Sequence, residues 1–429
     1  MQNNFHNINL NLNVRGLPQS ATLAINEKSN ELRKQGRHIY KLGLGQSPFP
    51  VPQPVVDELK VNAHQKDYLP VKGLPQLREA VAEYYCRTQG VCSTPDEVLI
   101  GPGSKELMFL LQYVYYGDLV IPTPSWVSYA PQAQIIGRHV RWIKTHRENK
   151  WRLTAEELEA HCSNDHDKPR IVILNYPSNP VGSTYNEDEL KEIAQVAKEH
   201  KIILLSDEIY GELNHHGEHI SIARFYPEGT IISGGLSKWC GAGGWRLGTF
   251  TFPEPLKWLL ESLSVMASET FTSTSAPIQY AAVRAFKRGN EIEKYLWRCR
   301  WILDKIGKKI SDKLNESGVY TPNPDGAFYC FPDFSDLKYS LMEKGIKTSV
   351  EMCSKLLEET GVAILPGEAF GRPAEELTAR IAYVDFDGNR AISAALNLNQ
   401  KDEIDEAFLH THCGEMLKAV DLICEWVKN

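Results

Sequence analysis

Short apolar runs punctuate the chain, and each breaks off abruptly into small or polar residues. Five of them read EVLIGPGS (97–104), DLVIPTPSW (118–126), RIVILNYPSNP (170–180), KIILLSDEIY (201–210) and GTIISGGLSK (229–238). Continuous apolar runs of this length predict strands covered on both faces, as in a parallel sheet. Helical patterns lie between several of them. KELMFLLQYVYYG (105–117) sets Leu107, Leu110, Leu111 and Val114 on one side. NEDELKEIAQVAKEH (186–200) opens with acids and closes with a lysine and a histidine, which suits the helix dipole. The alternation predicts an α/β fold with helices packed on a mostly parallel central sheet.

Ligands of such sheets sit beyond the carboxyl ends of the strands. The polar tails there are Gly103-Ser104-Lys105, Ser125-Trp126, Asn175 to Pro180, Asp207 to Tyr210 and Ser233 to Lys238, and they are expected to converge on one crevice. Beyond residue 290 the texture changes. A long charged helical pattern leads into YTPNPDGAFYCFPDF, then SVEMCSKLLEETG and VAILPGEAFG, which together read as a smaller α+β unit. The helical SATLAINEKSNELRKQG (20–36) stands outside the sheet pattern and is assigned to that unit. The expected division is a large cofactor-binding domain over 51–290 and a small domain from 1–50 and 291–429.

Composition removes several function classes. A length of 429 residues suits two domains, and the net charge of −7 with no basic stripe argues against nucleic acid. No stretch approaches the roughly 20 apolar residues of a membrane span. The opening MQNNFHNINLNLNVRG lacks the basic head and apolar run of a secretory signal. Nine cysteines are scattered with no CxxC, which reads as reduced thiols in a cytoplasmic protein. The clusters His215-His216-His219 and His410-His412-Cys413 have no partner at zinc-site spacing, so no metal is expected.

The densest chemistry lies in GGLSKWCGAGGWRLG (234–248), where six glycines surround Lys238 and Arg246. Ordered glycine is entropically costly, so such a cluster signals unusual bends or a close approach. A desolvated lysine has a lowered pKa and serves as nucleophile or base. Alone, Lys238 would read as a solvated loop lysine. Asp207, ending a different apolar run, changes that reading. An amine for covalent attachment and a carboxylate to pair with a protonated ring nitrogen are what pyridoxal phosphate requires.

This stretch resembles the lysine-site signature of class I/II aminotransferases, the fold type I pyridoxal-phosphate enzymes. SATLAINEKSNELRKQG, YLPVKGLPQLREAVAEYY, TPSWVSYAP, NYPSNPVGSTY, SDEIYGEL and GVAILPGEAFG are similar to blocks of that family, in family order. The likeness is nearest to bacterial-type (Iβ) aspartate aminotransferases.

The resemblance implies a role for each matching residue. Lys238 carries pyridoxal 5'-phosphate and, once freed, moves a proton between the substrate Cα and the cofactor. Asp207 keeps the ring nitrogen protonated. Tyr210 and Asn179 contact the ring hydroxyl, and Trp126 stacks on the ring. Gly103, Ser104 and Lys105 cradle the phosphate at a helix start, and Arg246 grips it. Tyr68 reaches the phosphate of a neighbouring subunit, which implies a homodimer with shared active sites. Arg380 takes the substrate α-carboxylate, with Gly45, Trp126 and Asn179 beside the substrate. Lys105 is either a contact for a distal carboxylate or a solvated first-turn lysine.

The implied reaction moves an amino group from an L-amino acid (aspartate, glutamate or aromatic-like) to a 2-oxo acid such as 2-oxoglutarate, in ping-pong fashion. A lyase or synthase on the same scaffold would use the same Lys238 and Asp207 and remains the alternative. Some positions depart from the family pattern. Gly235 stands where many relatives have a phosphate-binding serine, GQSPFP replaces a more acidic block, and Trp239 and Cys240 follow the lysine directly. The block after Arg380 is longer than usual.

Overall fold

The five apolar runs form strands, and their alternation sorts side chains onto two faces. Ile171, Ile173, Ile203 and Leu205 pack into one buried cluster, while Val172, Leu174 and Leu204 pack into another on the opposite side. The computed structural model describes residues 10–17, 19, 21–165, 168–396 and 404–428. Residues 1–9 of the opening stretch, read as lacking a secretory signal, lie outside the described residues, as do 397–403 of the long C-terminal block.

A seven-stranded sheet lies at the centre, in the order Val98–Gly101, Gly248–Thr251, Thr230–Gly235, Ile203–Asp207, Arg170–Asn175, Asp118–Thr123, Val140–Lys144. Only Gly248–Thr251 runs against the others. Two of these strands carry no apolar run long enough to be read from sequence. Val140–Lys144 is a sheet edge with a mostly exposed pattern, and Gly248–Thr251 is four residues emerging from the glycine cluster.

The helices follow their predicted patterns. Glu187–Glu199 begins at Asn186, whose side chain accepts from the Glu189 N–H while Glu189 reciprocates, a capping box. The helix after the first strand spans Ser104–Val114 with Gly103 as its N-cap, so Ser104 is the first helical residue. The long charged pattern forms Asn290–Glu316.

Two smaller sheets stand apart from the central one. Tyr40–Lys41 pairs in parallel with Val362–Ala363, which ties the N-terminal region to the C-terminal one. Tyr329–Cys330, Ala379–Ala382 and Leu365–Pro366 form an antiparallel trio. The extended C-terminal block supplies a helix, Glu406–Lys428, whose Met416, Leu417, Val420 and Ile423 are buried in the largest apolar cluster together with Ile306 and Ile310 of Asn290–Glu316.

The cysteine reading needs a correction. Cys86 and Cys92 form a disulfide, with Cα atoms 4.2 Å apart. The helix Pro75–Gln89 ends at Gly90, whose left-handed backbone turns the chain back and brings the two thiols together. Seven cysteines are free and buried. No helix among the described residues is long and apolar enough to cross a membrane.

Candidate active site

The carboxyl ends of three adjacent strands are in register. Asn175 lies opposite Asp207, and Asp207 lies opposite Ser233. The chain then leaves each strand by a sharp turn, so the tails gather around one cavity of about 440 Å³. Ser104, Lys105, Trp126, Asn179, Asp207, Tyr210, Lys238 and Arg246 all line it.

Lys238 projects its amine to the Gly45 carbonyl, 3.0 Å away. The ring centroids of Tyr210 and Phe328 lie 5.4 and 5.9 Å from it. Burial, then the positive charge of Arg380, lowers the amine to about 8, and Asp207 opposes that shift. A lysine so placed gives up its proton far more readily than a solvated one, which readies it to act as a nucleophile or base.

Asp207 is buried and accepts from the Tyr129 hydroxyl at 2.5 Å and the Ser233 hydroxyl at 3.1 Å. Burial pushes its carboxyl up to about 6 despite those donors. A cation placed against it would restore full ionisation, which fits a protonated ring nitrogen.

Arg246 sits at the opposite side with a left-handed backbone (φ 53°). Its guanidinium donates to the carbonyls of Gly243 (2.9 Å) and Pro102 (3.3 Å), with no carboxylate partner among the described residues. It rests directly over Gly103, where any Cβ would overlap it, and Gly103 has φ 94°. Gly103 caps the helix Ser104–Val114 without a side-chain acceptor. Open N–H groups and an unpaired guanidinium make an anion cradle. Lys105 adds positive charge at the rim, its amine 5.2 Å from the Trp126 ring centroid.

Arg380 is 2 % exposed and has no carboxylate partner among the described residues. It donates to Asn179 Oδ1 (3.0 Å) and the Gly43 carbonyl (2.6 Å), while its buried Nε has no hydrogen-bond partner. The rings of Tyr329 and Phe370 flank it at 4.7 and 5.0 Å. A buried, unneutralised guanidinium is costly unless an anion joins it.

Gly45, Gly103 and Arg380 stand behind the cavity lining, each against a residue that lines it (Lys238, Arg246 and Asn179 respectively), whereas Tyr68 is 90 % exposed. Several contacts were not assigned from the sequence: Tyr129 and Ser233 on Asp207, Asn175 on the Asp207 carbonyl (2.8 Å), and Tyr329 on Tyr210. Asn175 and Ser233 lie opposite Asp207 on the two strands that flank its own, so their roles depend on the register.

The departures resolve into packing. A Cβ at Gly235 would stand 2.6 Å from the Leu247 carbonyl, so a serine has no room there. Trp239 and Cys240 are buried in the main apolar cluster and do not line the cavity. The histidine clusters are engaged elsewhere. His219 bonds Glu208 at 2.9 Å, His215 contacts the Ala327 carbonyl, and His412 stacks on Phe408.

A lysine poised between a buried carboxylate and two unpaired arginines defines a cofactor-dependent enzyme acting on an anionic substrate. The model of the family "Aminotransferase class I and II" matches residues 37–391, and the chain belongs to that family. It is 34% identical over 380 residues to the aspartate aminotransferase of Bacillus sp. strain YM-2, covering 86% of this chain and 93% of the relative. It is 32% identical to the asparagine–oxo-acid transaminase of Streptococcus mutans, over 87% of this chain and 94% of that one. The fold is similar to that of the Thermus thermophilus aspartate aminotransferase solved with maleate, with a TM-score of 0.81, 27% identity, and coverage of 97% and 99% of the two chains. The protein is therefore a transaminase with the fold type I architecture, and the lyase or synthase alternative is not favoured. Membership of the family implies pyridoxal 5'-phosphate, and the donor set described above fits that group.

Proposed function

We propose that this transaminase binds pyridoxal 5'-phosphate through Lys238, Asp207, Tyr210, Asn179, Trp126, Arg246 and the Gly103–Lys105 helix start, and uses aspartate or glutamate as amino donor. The cofactor, when bound, supplies an electron-accepting ring and the carbon that receives the amine. Arg380 binds the α-carboxylate in a two-pronged contact beside Gly45 and Asn179, which fixes the Cα–H toward Lys238. Lys238, its amine lowered to about 8, takes that proton and returns it on the other side of the exchange. Asp207 holds positive charge at the ring nitrogen, and Trp126 walls the cavity against water. Lys105, at the rim, offers its charge to a distal carboxylate, which supports a dicarboxylic donor over an aromatic one.

The observation that carries this reading is Arg380, a guanidinium removed from water with its charge unanswered beside a lowered lysine amine. Tyr68, exposed on a single chain, supports a homodimer in which it completes the neighbouring site. The division into a large domain (51–290) and a small one (1–50 with 291–429) is part of the same reading, supported by the pairing of Tyr40–Lys41 with Val362–Ala363. So is a cytoplasmic setting. The test is a titration of the cofactor-loaded protein with single amino acids, following the cofactor's visible absorption. Loss of the band with glutamate or aspartate, and its return with 2-oxoglutarate, is the expected result. A band that forms and responds to neither donor would overturn the assignment.

A further inference from the structure

Tyr329 belongs to none of the motifs that announce the site, yet it touches three of its working groups. Its hydroxyl lies 2.8 Å from the Tyr210 hydroxyl. Its ring faces the Arg380 guanidinium at 4.7 Å. The same hydroxyl packs on Gly45 so closely that any Cβ there would overlap it, and the Gly45 carbonyl holds the Lys238 amine. The backbone explains the placement. Tyr329 pairs with Ala382 and Cys330 with Ile381, which sets the tyrosine beside the strand that carries Arg380. The residue is 1 % exposed.

Burial pushes both phenols up from their ordinary value, so each keeps its proton. When two protonated hydroxyls bond to each other, one proton lies between them and the other is free to point elsewhere. No other hydrogen bond to the Tyr210 hydroxyl competes among the described residues. Either hydroxyl can donate; with Tyr329 as the donor, the Tyr210 proton is left to point into the cavity and is strengthened as a donor. The flat ring meanwhile braces a guanidinium that has no ionic partner.

We propose that Tyr329 is a positioning residue for the transamination: its hydroxyl orients the Tyr210 hydroxyl while its ring holds the Arg380 guanidinium ready for the α-carboxylate. The proposal rests on the functional reading above and adds a residue that couples its two halves, carboxylate capture and proton handling.

Four variants of the cofactor-loaded protein test it: Tyr329→Phe, Tyr329→Leu, Tyr210→Phe, and Tyr210→Phe combined with Tyr329→Phe. Maleate, which cannot donate an amine, reports carboxylate binding by calorimetry. Tyr329→Phe keeps the ring and is expected to bind maleate within about twofold of wild type while kcat falls about tenfold and KM holds, the size of one lost hydrogen bond. Tyr329→Leu is expected to weaken maleate about tenfold in addition, from loss of the ring over the guanidinium. The double variant is expected to turn over within about twofold of Tyr210→Phe alone, because the hydroxyl acts through Tyr210. A wild-type kcat in Tyr329→Phe, or losses that multiply in the double variant, would overturn the proposal. If Tyr329→Leu does not fold, the phenylalanine variants still decide. Wild-type protein that transfers no amine would instead defeat the functional reading, and the maleate comparison would still show whether the Tyr329 ring supports carboxylate binding at Arg380.

Discussion

Asp207 shows how one buried side chain ties stability to cofactor chemistry. Its carboxyl is raised from 3.8 to about 6, mainly by burial. A carboxyl raised in the folded state contributes stability below its unfolded value, and that contribution is lost as the pH rises through about 6. The difference amounts to roughly 3 kcal/mol. Without cofactor, Asp207→Asn is expected to match wild type near pH 4 and to be more stable at pH 7, as measured by urea unfolding at both values. Adding pyridoxal 5'-phosphate is expected to reverse the order at pH 7, because the charged carboxylate then has a cation to meet. A variant whose stability relative to wild type is the same at both pH values would show that Asp207 is not strained by its burial. Lys238 and Asp207 stood out in the sequence because each ends an apolar run, whereas Arg246 was singled out through the resemblance of its glycine-rich block to the family signature. Tyr129, Ser233 and Tyr329 were not. Tyrosines and serines inside strands and helices look like ordinary packing until the register is known.

At the level of elements, the helix start at Gly103 governs the anion end of the cavity. Its φ of 94° disfavours any side chain, and Arg246 occupies the space a Cβ would take. Gly103→Ala is expected to cost about 1–2 kcal/mol of stability through backbone strain. It is also expected to weaken cofactor retention about tenfold by displacing Arg246, a loss equal to one charge-assisted contact. Dialysis of the loaded protein measures the second effect, and unchanged retention would remove Arg246 from the phosphate end. The sequence predicted this helix and the five buried strands from apolar periodicity. It missed Val140–Lys144 and Gly248–Thr251 because an exposed edge strand and a four-residue strand among glycines carry no run to read. It also missed the Cys86–Cys92 pair, whose closure depends on the turn at Gly90 and not on spacing alone.

For the whole molecule, the α/β architecture was legible because a sheet covered on both faces demands continuous apolar strands, and those are visible. Assembly is a different matter, since Tyr68 is a surface residue on one chain, and the proposed shared-site dimer is what gives it a role. Protomers carrying Lys238→Ala, mixed with protomers carrying Tyr68→Ala, are expected to regain turnover that neither has alone. In a shared-site dimer, one of the two sites in each mixed pair then has both wild-type residues. No recovery on mixing, with dimers verified by sedimentation, would mean that Tyr68 serves its own chain or none.

In the proposed reaction the cavity transfers an amine between two carboxylate substrates bound in turn at Arg380. Isotope-labelled nitrogen supplied as aspartate, with unlabelled 2-oxoglutarate and the cofactor-loaded protein, tests it most directly. Labelled glutamate and oxaloacetate are expected in equal amounts, abolished by Lys238→Ala and restored by neither free cofactor nor excess substrate. Labelled ammonia in place of labelled glutamate would contradict it and assign the site to elimination instead.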